Sequence, residues 1–320
     1  MRIINLHEIK NILKSVDIMT AIEEGFVNYS KGNCVVPPVG ELLFKTPPGE
    51  VHIKSGYIRG DDYYVIKIAS GFYDNQAFNL SSNNGLMLLF SQKTGELLTI
   101  LLDEGYLTNI RTGIAGAIAA KYLAPGTVNC IGILGTGTQA RLQLSFLRSI
   151  MPCSNVLAFG RNYRNLLHLQ EDMQKEGFNV QITQVMEKLT AICNLIVTTT
   201  PSTLPILFAK NIKPGTHITA IGASDKQELD VSIFGVADMV VVDSVAQCVE
   251  RGNTAHAVRK KIIRAENLVE LGQIISGESV GRTNDTQITI ADLTGLAIQD
   301  LQIAKKINEA CLAWFAFAVL

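Results

Sequence analysis

Three cationic side chains stand where charge is costly. Lys54 sits in GEVHIKSGYI, Lys67 in YYVIKIASGF between Ile66 and Ile68, and Arg111 in LTNIRTGIAG at the start of an alanine-rich run. On an alternating strand, a lysine between apolar neighbours reads equally as one that points outward to water. Taken together, the three make a clamp for a carboxylate, with Arg111 as its bidentate fork. Further along, IGILGTGTQARLQL (131–144) breaks an apolar run at Gly135-Thr136-Gly137 and continues with helical spacing. This nearly matches G-x-G-x-x-G, with Ala140 in the third glycine's place and Gln139 before it. After a strand, such glycines allow a tight turn and close approach to a pyrophosphate, whose charge the open amides of the helix start favour. Gly135, Gly137, Thr138, Gln139 and Ala140 are therefore the candidate pyrophosphate loop. Alanine suffices where helix–strand packing asks only for a small residue. An ordinary tight turn is the competing reading.

The end of the following strand should select the cofactor. An acid roughly 20–25 positions on would accept hydrogen bonds from the ribose 2′-hydroxyl of NAD. Here the run ends AFGRN: Gly160 stands in the acid's place, and Arg161 and Asn162 follow. An arginine suits a 2′-phosphate through charge and fork geometry, which favours NADP over NAD. A solvated Arg161, or one stacked on the adenine of NAD, is the alternative. Ser224 and Asp225, in GASDKQELD, follow the fifth apolar run, at the strand ends where ligands bind. Asp225 reads as a general base or as the cap of the next turn.

These residues need elements to hold them. YYVIKIASGF (63–72) and GLMLLFSQKTGELLTILLD (85–103) are β structure, the second a hairpin turning at SQKTGE, while VVPPVG and KTPPGE are loops. TNIRTGIAGAIAAKYLA (108–124) is a helix stopped by PGT. Apolar runs at 129–135, 155–160, 179–185, 194–200, 216–223 and 239–244 then alternate with helical segments. That pattern means a parallel sheet covered on both faces. ITIADLTGLAIQDLQIAKKINEACLAWFAF (288–317) gives a strand, a turn and a long helix, expected to pack back on the first domain. The fold class is α/β: a doubly wound (Rossmann) dinucleotide-binding domain over 113–296, plus an α+β substrate and oligomerisation domain over 1–112 and 297–320.

Composition sets the class. With 320 residues, 47% of them hydrophobic, the chain can bury a sizeable core. A formal net charge of -1 offers no basic surplus for nucleic acid. MRIINLHEIK has no apolar signal core, and no uncharged run reaches the roughly 18–20 residues of a membrane span. The terminal ACLAWFAFAVL is too short, and reads as a helix buried against another domain or subunit. The six cysteines form no C-x-x-C pair and read as reduced thiols of a cytoplasmic protein. The five histidines lack metal-ligand spacing, so no metal is expected, and His217 in HITAIGA reads as a core histidine.

The chain resembles the ornithine cyclodeaminase/mu-crystallin family over nearly its whole length. The resemblance is carried by YYVIKIASGF, GLMLLFSQKTGELL, LTNIRTGIAGAIAAKYLAP, IGILGTGTQARLQ, VTTTPSTLPIL, IKPGTHITAIGA, KQELD, VVDS and ITIADLTGLAIQD. It implies a homodimer or higher oligomer whose first domains pair into a shared β structure. It also implies a nicotinamide cofactor in the second domain, and chemistry at the Cα–N bond of a small amino acid or cyclic imino acid. Lys67 and Arg111 would hold the substrate carboxylate near the nicotinamide, with Lys54 at a less secure matching position. Gly135, Gly137, Gln139 and Ala140 match the pyrophosphate loop, and Thr199 and Thr200 the strand end bordering the cofactor.

The sequence departs from the family's cyclodeaminases at one point. Those carry an aspartate directly after the residue that closes the fifth strand, whereas here Ser224 stands there and Asp225 follows. The mu-crystallin branch also has a serine there and resembles ketimine reductases. Lys67, Ser224 and Asp225 are the candidate catalytic residues: Ser224 favours a ketimine reductase that turns 1-pyrroline-2-carboxylate into proline, whereas Asp225 would be the acid/base of a cyclodeaminase. Ornithine cyclodeamination, an alanine-type dehydrogenase, and a non-enzymatic NADPH-binding protein are the alternatives.

Overall fold

The computed structural model describes residues 1–221 and 227–318. The chain forms two units, one made of Met1–Arg111 with Leu296–Leu320, the other of Thr112–Gly295.

The first unit is built on a seven-stranded sheet. Its path runs Arg2–Asn5, Leu97–Leu102, Asn83–Ser91, Tyr63–Phe72, Pro48–Ile58, Cys34–Val35, with Gly40–Lys45 also paired to Pro48–Ile58. The first pair is parallel and the others antiparallel. Of KTPPGE, read as a loop, only Thr46-Pro47 is the turn of a hairpin; Lys45 pairs with Pro48, and Pro48, Gly49 and Glu50 already belong to the strand. Alternation along Tyr63–Phe72 puts Val65 and Lys67 on the buried face, while Ile66 and Ile68 lie half-buried on the other. In register, Lys54, Lys67, Met87 and Leu101 form one row across four strands. All four are buried, so the lysines point inward. The helix Ala297–Ala318 packs on this sheet and on the helix Ile18–Ser30, burying Ile298, Leu301, Ala304 and Ile307. The chain's late helix thus completes a core begun by its first residues. Each large side chain fully buried there, such as Phe26 or Ile22, is worth about 1.5–3 kcal/mol of transfer free energy.

The second unit is an eight-stranded parallel sheet in the order Asn179–Thr183, Asn155–Phe159, Ile131–Leu134, Leu195–Thr198, His217–Ile221, Thr289–Leu293, Met239–Val242, Leu268–Glu270. The apolar runs are its strands, and helices such as Thr138–Arg148 and Tyr163–Lys175 are the crossovers. The order reverses between Ile131–Leu134 and Leu195–Thr198, the topological switch point where doubly wound sheets bind ligands. His217 is a core residue, its ring nitrogens bonded to Thr289 Oγ1 at 2.8 Å and Thr219 Oγ1 at 2.9 Å. Burial, reinforced by Arg282, pushes its pKa down to about 3, so the ring is neutral. Among the described residues no helix is long and apolar enough to cross a membrane.

Candidate active site

In the first unit, Lys67 and Arg111 share one carboxylate. Lys67 Nζ lies 2.9 Å from Asp300 Oδ2, and Arg111 Nε donates to Asp300 Oδ1 at 3.1 Å. Arg111 Nη1 donates to Gln299 Oε1 at 3.0 Å. The set is almost dry: Lys67 is 2% exposed, Arg111 6%, Gln299 1% and Asp300 0%. Lys54, 7% exposed, stands directly across from Lys67, and its charge is felt at Asp300. Asp103 adds a second buried acid, its Oδ2 accepting from Leu107 N at 2.8 Å at the start of the helix Tyr106–Leu123.

Burial governs the ionisation of Lys67. Desolvation pulls its pKa down to about 8, with Asp300 opposing and Arg111 assisting. For Asp300, burial pushes upward, but Lys67, Arg111 and Lys54 outweigh it and hold the carboxyl below its usual range. Two cations that already converge on one carboxylate can orient another. A buried amine titrating near neutrality can also hold or release a proton. Asp300 and Gln299 were invisible as site residues in the sequence. They lie on the far chain end, and only the packing of their helix against Tyr63–Phe72 brings them to Lys67.

In the second unit, Gly135, Gly137, Gly160, Arg161, Asn162, Thr199 and Thr200 line one cavity of about 430 Å³ at the switch point. The two loop glycines serve different ends. Gly135 has φ +112°, and a Cβ there would lie 2.6 Å from Thr199 Oγ1. Gly137 has nothing within 4 Å of where a Cβ would be, and it caps Thr138–Arg148 with no side-chain hydrogen bond. The first amides of that helix, beginning with Thr138, Gln139 and the buried Ala140, therefore have no side-chain cap from Gly137, as a bound pyrophosphate requires. These features fit a dinucleotide. Arg141, which the sequence did not single out, braces the loop. Its Nη1 donates to Thr136 O at 2.6 Å, and Nε and Nη2 reach Asp172 Oδ2 at 2.9 and 2.7 Å.

At Gly160 a Cβ would meet Thr136 Cγ2 at 3.0 Å, so an acidic side chain would crowd the loop. Arg161 is exposed on the cavity wall. Asn162 has a structural task as well, its Oδ1 accepting from Asn165 N at 3.1 Å as the cap of Tyr163–Lys175. Ser224 and Asp225 lie outside the described residues.

The ornithine cyclodeaminase/mu-crystallin family model matches residues 2–313. An uncharacterized cyclodeaminase from Sinorhizobium fredii is 38% identical over 95% of this chain and 94% of its own. The structure of an archaeal alanine dehydrogenase dimer with bound NAD superposes with TM-score 0.87 at 33% identity, covering 97% of this chain and 96% of that one. The Delta(1)-pyrroline-2-carboxylate reductase of Thermococcus litoralis, in complex with NADH and L-proline, gives TM-score 0.90 at 26% identity over 98% of both chains.

Proposed function

The chain belongs to the ornithine cyclodeaminase/mu-crystallin family, and we propose that it is an NAD(P)H-dependent reductase of cyclic ketimines bearing a carboxylate, 1-pyrroline-2-carboxylate being the type. The observation that carries the reading is the buried set Lys67–Asp300–Arg111. Reducing a C=N bond needs one hydride and one proton. The hydride is what a reduced nicotinamide supplies when bound. The chain's own residues do the rest. Arg111, oriented by Asp300 and Gln299, reads the substrate carboxylate together with Lys54 and Lys67. Lys67 keeps a proton near neutral pH and delivers it toward the imine nitrogen. Asp300 holds that ammonium in place. Gly135, Gly137, the first turn of Thr138–Arg148, Thr199 and Thr200 hold the dinucleotide. The Thermococcus litoralis reductase, solved with NADH and proline, supports the substrate class.

An alanine-type dehydrogenase is the second reading, favoured by the archaeal neighbour's 33% identity. It uses the same carboxylate-reading residues on an open-chain imine. NAD(P)H oxidation with 1-pyrroline-2-carboxylate or with pyruvate plus ammonia, and ammonia release from ornithine with NAD, separate the readings. A kcat/KM for the cyclic ketimine about tenfold or more above the others is expected. Faster turnover of pyruvate plus ammonia, or ammonia release from ornithine with no net cofactor change, overturns the reductase reading.

NADP is favoured over NAD because Gly160 replaces the expected acid and Arg161 stands beside it. The neighbours solved with NAD and NADH speak for the opposite preference, so Arg161 is the residue to test. We also infer a homodimer. The archaeal neighbour is a dimer, and this chain exposes an apolar strand at Gly40–Lys45.

A further inference from the structure

The strand Leu195–Thr198 hands the chain to residues 199–202, which wall the dinucleotide cavity. Beneath this exit lies Glu228, 2% exposed. Its Oε2 accepts from Thr198 Oγ1 at 2.8 Å, and its Oε1 accepts from Thr200 N at 2.6 Å and Thr200 Oγ1 at 2.8 Å. Thr199 is held from the other side, its N and Oγ1 both donating to Leu134 O at 2.9 Å. The exit is thus clamped between the fingerprint strand and one carboxyl.

Glu228 is fixed in turn. Asn253 Oδ1 accepts the amides of Glu228 and Leu229 at 2.8 and 3.0 Å. Asn253 Nδ2 donates to Asp292 Oδ1 at 3.1 Å, and Asp292 Oδ2 accepts from Thr254 N and Oγ1 at 2.7 and 2.8 Å. The Glu228 carbonyl takes the amides of Ile206 and Leu207, tying down the far end of the same loop.

We propose that Glu228 is a positioning residue for the cofactor: by holding Thr198 and Thr200 it sets the cavity wall against which the dinucleotide binds, without touching the ligand. Burying a carboxyl is unfavourable. Here burial pushes its pKa up to about 7 despite the hydrogen bonds from Thr200 and Thr198. An apolar residue would avoid that cost but would leave three converging donors unsatisfied. Glutamine can still accept both donors of Thr200 and offer its amide to Thr198 Oγ1, whereas alanine satisfies none.

This inference rests on the cavity taking NAD(P)H. The test is fluorescence titration of NADH and NADPH against the full-length protein, with steady-state kinetics alongside. Glu228→Gln should bind within about threefold of wild type, and Glu228→Ala about tenfold or more weaker, with cofactor KM raised and kcat at saturation little changed. Thr198→Val, which alters a buried residue outside the cavity lining, should weaken binding about threefold, and should add nothing to Glu228→Ala because the hydrogen bond it removes is already lost there. Wild-type protein that binds neither cofactor overturns the cavity reading and this inference with it. Wild-type binding with Glu228→Ala equally tight, or losses that add in the double variant, overturns the positioning role alone. If Glu228→Ala does not fold, Thr198→Val decides, and an unchanged Kd counts against the proposal.

Discussion

A buried lysine that titrates near 8 sits between a fixed charge and a base, and Asp300 decides which it is. Burial lowers the Lys67 pKa, Arg111 lowers it further, and Asp300 at 2.9 Å restores part of the loss. In the proposed reaction the protonated amine is the active form, so kcat/KM should fall as pH rises through about 8. Asp300→Asn removes the attraction and keeps the Arg111 repulsion, which moves that fall to lower pH. An ion pair this close contributes several kcal/mol at an effective dielectric of about 20, and one pKa unit is about 1.4 kcal/mol. The limb should therefore shift by about one unit or more, with kcat/KM at pH 8 down about fivefold or more. A pH–rate profile reads this directly, and a limb left in place would mean that Lys67 is not the group titrating. Arg161 is the other single-residue question. If it meets a 2′-phosphate, Arg161→Ala should lower the NADPH-to-NADH ratio of kcat/KM about tenfold or more. An unchanged ratio would show that Arg161 meets no 2′-phosphate and is either solvated or stacked on the adenine.

The fingerprint turn shows why an element must be read with its neighbours. Gly135 and Gly137 look equivalent in the motif, yet only Gly135 combines a left-handed φ with a backbone pressed against Thr199. Gly135→Ala should therefore destabilise the fold by about 3 kcal/mol or more, lowering Tm by several degrees. Gly137→Ala meets open space, so Tm should hold while the Kd for NADH rises about tenfold, the added methyl standing where a phosphate approaches. Thermal melts with and without cofactor separate the two outcomes. The strand–turn–helix around these glycines was legible because a parallel strand buried on both faces is a continuous apolar run. So was the late helix of the first unit. Two other features were hidden. Gly40–Lys45 carries no alternation signal, since its side chains are exposed along its length. The inward turn of Lys67 depended on pairing partners, because its apolar flanks, Ile66 and Ile68, cover the opposite face. Asp300 and Glu228 were harder still, each being a partner supplied by a distant segment, and sequence spacing does not encode that proximity.

At the scale of the whole molecule, Gly40–Lys45 presents Leu42 at 53%, Leu43 at 73% and Phe44 at 44% exposure. Among the described residues its pairing runs to Pro48–Ile58 alone. An apolar strand at a sheet margin invites another chain unless something covers it. Each large apolar side chain so covered would contribute about 1.5–3 kcal/mol, scaled by the area it still exposes. A second copy of this chain is the occupant we favour, because each copy offers the same strand and a two-fold contact closes on itself. Light scattering coupled to gel filtration should give twice the 34.8 kDa of one chain. The double variant Leu42→Glu/Leu43→Glu adds four charges to a two-fold interface while touching side chains that one copy leaves exposed. It should elute at the single-chain mass with its circular dichroism intact. A variant that stays dimeric would place the contact elsewhere, and a wild type of single-chain mass at micromolar concentration would remove the dimer altogether.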